Sequence, residues 1–393
     1  MAYFQGFTNL TTDLCTSNDR FGLNNSDKMK TRLSIFCLLA VLCSSVLGKT
    51  DGRDSTLFGA KEGDRWGYID RNGNWIIEPR YDYVQNFNED GIAEVSIRPR
   101  WFYIDRAGKK IEKPKYCEYE LVENFSNGLA PFENNSGKRG YVNKSGKVVI
   151  KPRFCVVGNF STNGLAPVTL IKNKPLRISF KKRHNECKSC LRRMSKACYI
   201  DRTGTIVIEP KFDDAGSFSD NGLAWACLNE RFGYIDKTGN FVIEPRFYEA
   251  CDFDQDGWAR VCFDGKWGFI DRTGKFVIEP KFGAVESFAE NGLAHVSSVL
   301  GVGDHGFIDR TGNYVIEPKY LLAESFSNIG LAPVYVDYKW GCIDSSGKLV
   351  IEPQYDELKI ARGVIFVQLN EKWGIVDKTG KIIVEPKFSD IHP

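Results

Sequence analysis

Residues 267–294 read WGFIDRTGKFVIEPKFGAVESFAENGLA, and this stretch decides the fold. An apolar run, Trp267-Gly268-Phe269-Ile270, stops at Asp271-Arg272-Thr273-Gly274 and resumes as Phe276-Val277-Ile278. An Asp heading a turn accepts a backbone N–H two residues on, and a Gly at its fourth position supplies positive φ. The two runs therefore form a hairpin closed by a loop of three to five residues, a type I turn with a G1 bulge. Pro280 cannot donate to a continuing ladder and is expected to end the second strand. Gly292-Leu293-Ala294 opens a third strand, Leu293-Ala294-His295-Val296, which turns into the next copy of the same pattern. One copy is a three-stranded antiparallel meander.

The pattern recurs along the chain, as in Trp66-Gly67-Tyr68-Ile69-Asp70, Trp340-Gly341-Cys342-Ile343-Asp344 and Trp373-Gly374-Ile375-Val376-Asp377. Two columns are complete in nine copies. The turn glycines are Gly73, Gly108, Gly146, Gly204, Gly239, Gly274, Gly312, Gly347 and Gly380; the prolines are Pro79, Pro114, Pro152, Pro210, Pro245, Pro280, Pro318, Pro353 and Pro386. Successive glycines stand 35, 38, 58, 35, 35, 38, 35 and 33 residues apart, so the fourth copy holds an insertion. The length of 393 residues would suggest two or three domains, but a repeat array grows without closing one core. The 27 Phe, 16 Tyr, 37 Gly and 15 Pro favour short strands and tight turns, and almost no helix is expected.

The nine copies resemble the bacterial WG repeat, named for its Trp-Gly pair, over residues 56–390. Phe102 and Cys198 depart from the Gly, and Arg139, Ala197, Phe232 and His305 from the Trp. The resemblance implies an exported bacterial binding or interaction module without a defined enzymatic activity. Three-stranded units can stack into an open curved array or close into a propeller-like ring, which commonly borrows a strand from the other terminus. Leu57-Phe58-Gly59-Ala60 reads as the first unit's own leading strand, and no Gly-Leu-Ala follows Pro386. An open all-β solenoid is expected, with Phe388-Ser389-Asp390 as a weak cap; the ring is the alternative.

Ahead of the array, Met29-Lys30-Thr31-Arg32 precedes the apolar run Leu33–Leu47, with Val46 and Gly48 positioned for cleavage before Lys49. This is the layout of a secretory signal peptide over 29–48, too short for the roughly 20 apolar residues of a spanning helix. Residues 1–28 then read as an extension upstream of the true start, and a signal-anchor is the alternative. Export implies a periplasmic, cell-surface or extracellular location, with no transmembrane span in the mature chain.

The net charge of +3 is too small to imply a polyanionic partner for the whole chain, and no specific nucleic-acid binding is expected. Charge concentrates in the insertion, residues 169–197, where ten Lys/Arg face one acid, Glu186. An acidic partner would suit it; a solvated loop is the plainer alternative. The same segment carries His184, Cys187 and Cys190, followed by Cys198, a spacing able to hold Zn²⁺ tetrahedrally. A Cys187–Cys190 disulfide and free thiols are the competing readings, and no other cofactor is indicated. Cys117 with Cys155, and Cys227 with Cys262, occupy matching columns of adjacent units and are candidate inter-unit disulfides.

Other recurring groups read as structural. The hairpin Asp is usually followed by Arg or Lys, which suits turn capping better than calcium binding. The Trp column reads as packing between units instead of a carbohydrate-stacking ladder. Glu before the Pro in seven copies (Glu78, Glu209, Glu244, Glu279, Glu317, Glu352 and Glu385) and the Lys/Arg that usually follows read as ion pairs between neighbouring units, each contributing about 0–1 kcal/mol. The residue after Leu-Ala varies most widely (Glu94, Pro131, Pro167, Trp225, Arg260, His295 and Pro333) and is expected to face solvent. Glu94, Trp225, Arg260 and His295 are therefore the candidate ligand face. Catalysis needs distinct acid, base and orienting groups, and no non-repeated cluster of that kind is visible. The expectation is a non-catalytic binding or scaffold protein for protein or cell-surface polymer partners. The alternatives are a metal-dependent hydrolase sited at the insertion and a purely structural surface component.

Overall fold

The computed structural model describes residues 56–170, 196–298 and 304–393. They form strands and tight turns with one 3-10 turn, Lys115–Glu118, and no α-helix occurs among them. The expected all-β tandem array is what the chain forms. In the sixth unit the strands are Glu249–Phe253, Ala259–Phe263, Lys266–Ile270 and Phe276–Phe282, antiparallel and in that order across the sheet. Units thus hold four strands, not three. After the aromatic that follows Pro, the chain bends at one residue and begins the next sheet with a strand of two to five residues. Units three and four share a seven-stranded sheet through the long strand Val148–Val157.

The proline does not end its strand. Phe276–Phe282 runs through Pro280, and the ladder slips register between Trp267 and Phe269. A proline is tolerated there because the fourth strand is the edge of its sheet, and a bulge removes the need for its missing N–H. A Cβ on Gly268 would lie 2.5 Å from the Ile278 carbonyl oxygen and 2.8 Å from the Pro280 nitrogen. The glycine of Trp-Gly is therefore the gap into which the bulged strand settles. The hairpin itself is as expected: Gly274 N–H donates to the Asp271 carbonyl (3.0 Å), Thr273 N–H donates to Asp271 Oδ1 (2.8 Å), and Gly274 has φ +85°.

Burial occurs between consecutive units. Phe269, Ile278 and Phe282 of unit six pack on Val285, Ala294, Val296 and Ile308 of unit seven. Phe307, Ile316 and Tyr320 of unit seven pack on Phe326, Ala332, Val334 and Ile343 of unit eight. Each fully buried Ile or Phe contributes about 1.5–3 kcal/mol.

The two ends of the array do not stand apart. The C-terminal strand Asp390–His392 pairs antiparallel with Phe58–Glu62, with His392 opposite Gly59 and Ile391 opposite Ala60. Phe58, Ala60 and Ile69 of unit one bury against Phe366, Trp373, Phe388 and Ile391 near the other end. The expected open array is thus corrected to the ring held as its alternative: unit one takes its first strand from the C-terminus. The sequence disguised this because the borrowed segment, Asp390-Ile391-His392, corresponds to the short strand absent from the three-stranded reading.

Unit two departs most. Its fourth strand is only Lys110–Ile111, and the chain then leaves the sheet for the 3-10 turn. Phe102 stands where the other units place Gly or Cys198, so a large side chain replaces the small residue on which the bulged strand settles elsewhere, and its ring packs edge-on to Tyr81 of unit one at 6.0 Å. Cys198, small enough, keeps the full ladder with Ile206–Phe212.

Candidate binding surfaces of the ring

Two recurring polar groups prove to bind one unit to the next. In four units the Tyr two residues after the Trp position donates its hydroxyl to a carbonyl of the following unit: Tyr68 to Gln85 (2.6 Å), Tyr141 to Gly158, Tyr199 to Gly216 and Tyr234 to Cys251 (each 2.7 Å). Every such link spans 17 residues, a regularity present in the sequence but invisible without the fold. Burial pushes these phenols well above their ordinary range. The basic residue after Pro does not pair with Glu as expected. In four units it reaches the turn-glycine carbonyl of the next unit, Arg80 to Gly108 (3.1 Å) and Lys281 to Gly312 (2.9 Å), with Arg153 and Arg246 doing the same to Gly204 and Gly274. Its charge also lies over the adjacent aromatic, as with Lys281 and Phe282 at 5.2 Å.

The hairpin aspartates cap their turns. The Thr203 hydroxyl and the Thr203 and Thr205 N–H groups hold the Asp201 carboxyl below its ordinary value, and Thr238 with Asn240 does so for Asp236. Trp66 and Trp373 are buried within inter-unit clusters.

The candidate ligand face is only half open to solvent. Pro131, Pro167 and Pro333 are buried, and the remaining members turn toward neighbouring strands. Glu94 accepts from the Tyr103 hydroxyl (3.0 Å), and Trp225 donates to Asp252 of the next unit. Arg260 donates to the Val285 carbonyl (2.8 Å) and to Glu286 (3.2 Å). His295 stacks on His305, with Nε2 and Nδ1 2.8 Å apart. The reason is register: this column lies opposite the column two residues after the Trp position, and Trp225 and Arg260 look onto the following unit's first strand. Sequence reading missed the carboxyls waiting there. Burial pushes up those of Asp252, Glu286 and Glu324, with Arg260 opposing at the first two and Lys359 at the third.

The cysteines Cys117, Cys155, Cys227 and Cys262 are free thiols in the structure. The Cys155 thiol donates to the Thr169 carbonyl (3.3 Å), and burial raises all four. His184, Cys187 and Cys190 lie outside the described residues. Cys198 is fully buried in Ala197–Ile200, packed with Tyr141 and Ile150, and burial with nearby Glu209 pushes its thiol up to about 11. Among the described residues no group of three or more His, Cys, Asp or Glu is placed to hold a metal. No helix among them is long and apolar enough to cross a membrane.

Fold and linkages together define a closed tandem β-repeat protein whose recurring residues are spent on joining units. The model of the WG containing repeat matches nine segments, residues 66–98, 101–138, 140–174, 199–231, 232–267, 267–297, 306–340, 340–373 and 373–393. The chain belongs to that family. No curated protein matches it in sequence. Among solved structures it is similar to a eukaryotic initiation factor, with 9% identity and a TM-score of 0.56, over 86% of this chain and 97% of that one. It also matches the computationally designed Ika8 protein (10% identity, TM-score 0.36, 84% and 96% coverage). A third is the dihydro-heme d1 dehydrogenase NirN (13% identity, TM-score 0.41, 79% and 77% coverage). The first likeness bears on fold alone, and the other two carry no argument.

Proposed function

We propose that this chain is an exported, non-catalytic ring that binds or scaffolds protein or cell-surface polymer partners. The carrying observation is that the repeated polar groups, turn Asp, post-proline base and buried Tyr, are each engaged in holding turns or joining units. What is left to differ between units is surface on a rigid frame, which suits recognition better than acid–base chemistry. The alternative of a metal-dependent hydrolase at the insertion gains nothing from Cys198, whose thiol is fully buried against Tyr141 and Ile150. The mature chain from Lys49 is immobilised and exposed to surface fractions of its native cell with crosslinking and quantitative mass spectrometry. Specific, saturable capture of a partner is expected. Failure to enrich any partner, or stoichiometric zinc with hydrolytic activity lost in Cys187→Ser, sinks the reading.

A further inference from the structure

Unit two holds a vacancy that the other units fill. In unit one, Trp66 pairs with Tyr81 on the outer edge of the sheet. In unit two, the equivalent Trp101 pairs inward with Ser96, and on its outer side the ladder contains only Tyr103 opposite Ile111 and Ile104 opposite Lys110. Trp101 sits in the register in which its N–H and C=O point outward, since Ile97 and Arg100 form the bonded pair that closes the preceding hairpin. The residue that would have met it, Tyr116, has been carried off in the 3-10 turn, where it is buried. A cleft of about 460 Å³ remains, lined by Trp101, Phe102, Tyr103, Lys110, Glu112 and Lys113. Trp101 is 53% exposed and stacks edge-on to the exposed Tyr83 at 5.5 Å, making an aromatic platform beside the open edge.

We propose that this edge docks an extended acidic segment of a partner protein by β-strand addition, which rests on the binding-module reading above. Main-chain bonds to Trp101 restore the missing rung, and side chains of the incoming strand alternate between cleft and platform. Charge selects the partner. Residues 98–115 carry seven Lys/Arg against two acids, Asp105 and Glu112, while Lys110 lies over the Phe102 ring at 5.4 Å on the cleft wall. A basic strand is repelled there and an acidic one is steered in.

The test uses an end-blocked, fluorescein-labelled octapeptide alternating glutamate and valine, titrated with the mature chain by fluorescence polarisation. Saturable binding weakened by salt is expected, with no binding of the lysine–valine counterpart. Phe102→Gly restores the gap for the fourth strand, so Tyr116 is expected to reclaim Trp101, and affinity falls at least tenfold while the melting temperature holds or rises. Lys110→Glu combined with Lys113→Glu lowers affinity by a similar factor through charge alone, which keeps the test decisive should Phe102→Gly misfold. Absent binding, equal binding of the lysine peptide, or undiminished binding by both variants overturns the assignment. Partner capture that persists undiminished in Phe102→Gly leaves the binding-module reading intact and removes only this edge.

Discussion

At the residue scale, the complete glycine column answers two demands at once. Gly274 adopts φ +85°, and a Cβ there would lie 2.9 Å from Cγ2 of Ile243 in the preceding unit. Gly292 has φ +78° but nothing within 4 Å. Gly292→Ala is expected to cost about 1 kcal/mol for the left-handed backbone, and Gly274→Ala about 2–3 kcal/mol because packing is added to strain. Equal losses in urea denaturation would show that the inter-unit contact contributes nothing. The turn motif was legible from Asp-Arg-Thr-Gly alone. The neighbour pressing on it was not, because that contact reaches 31 residues back.

Histidines carry a pH prediction at the same scale. Burial, with the neighbouring His305, lowers His295 to about 3, and burial lowers His305 and His392 against the opposing pull of Asp304 and Asp390. An unfolded His binds a proton below about pH 6.5 while these folded ones do not, so stability is full above that pH and declines as pH falls toward the folded values. At pH 5 the loss reaches up to about 2 kcal/mol for His295. Melting temperatures measured from pH 7.5 to 5 should fall, and His295→Phe should flatten the slope. A profile unchanged by that substitution would contradict the assignment.

At the element scale, the strand Asp390–His392 closes the ring although it is only three residues long. Ile391 is 4% exposed within the joint cluster, and His392 lies against Trp66 with ring centroids 4.2 Å apart. Removing residues 389–393 leaves the edge of Phe58–Glu62 unpaired. Hydrogen exchange should then show unit one losing protection while units four to seven keep theirs; unchanged protection in unit one would mean the closing strand is dispensable. Sequence reading found the elements by their turns and apolar runs but missed the short first strands, which have two to five residues and no periodicity of their own. It also stopped the fourth strand at Pro, since the bulge that admits the proline depends on a glycine in a different strand.

For the whole molecule, closure makes the joint between the last and first units equivalent to the others. Phe366, on the second strand of its sheet, packs edge-on to Phe58 at 4.9 Å across that joint, and Phe307, on the third strand of unit seven, packs on Phe326 of unit eight at 4.8 Å. Gly73 meets Val384 in the same way that Gly274 meets Ile243. Phe366→Ala and Phe307→Ala should therefore destabilise by similar amounts, about 3–5 kcal/mol each. In an open array Phe366 would lie near a fraying end, and a Phe366→Ala loss several-fold smaller than its counterpart would favour that arrangement.

Local chemistry written in the chain determined the repeat, its turns and its all-β class, because an Asp-to-Gly hairpin and alternating burial act over a few residues. Tertiary structure alone decided that the ends meet, that the column after Leu-Ala turns inward, and that Phe102 leaves one sheet edge unfilled. Each of these depends on which distant strand arrives beside a residue, and that is settled only when neighbouring units pack.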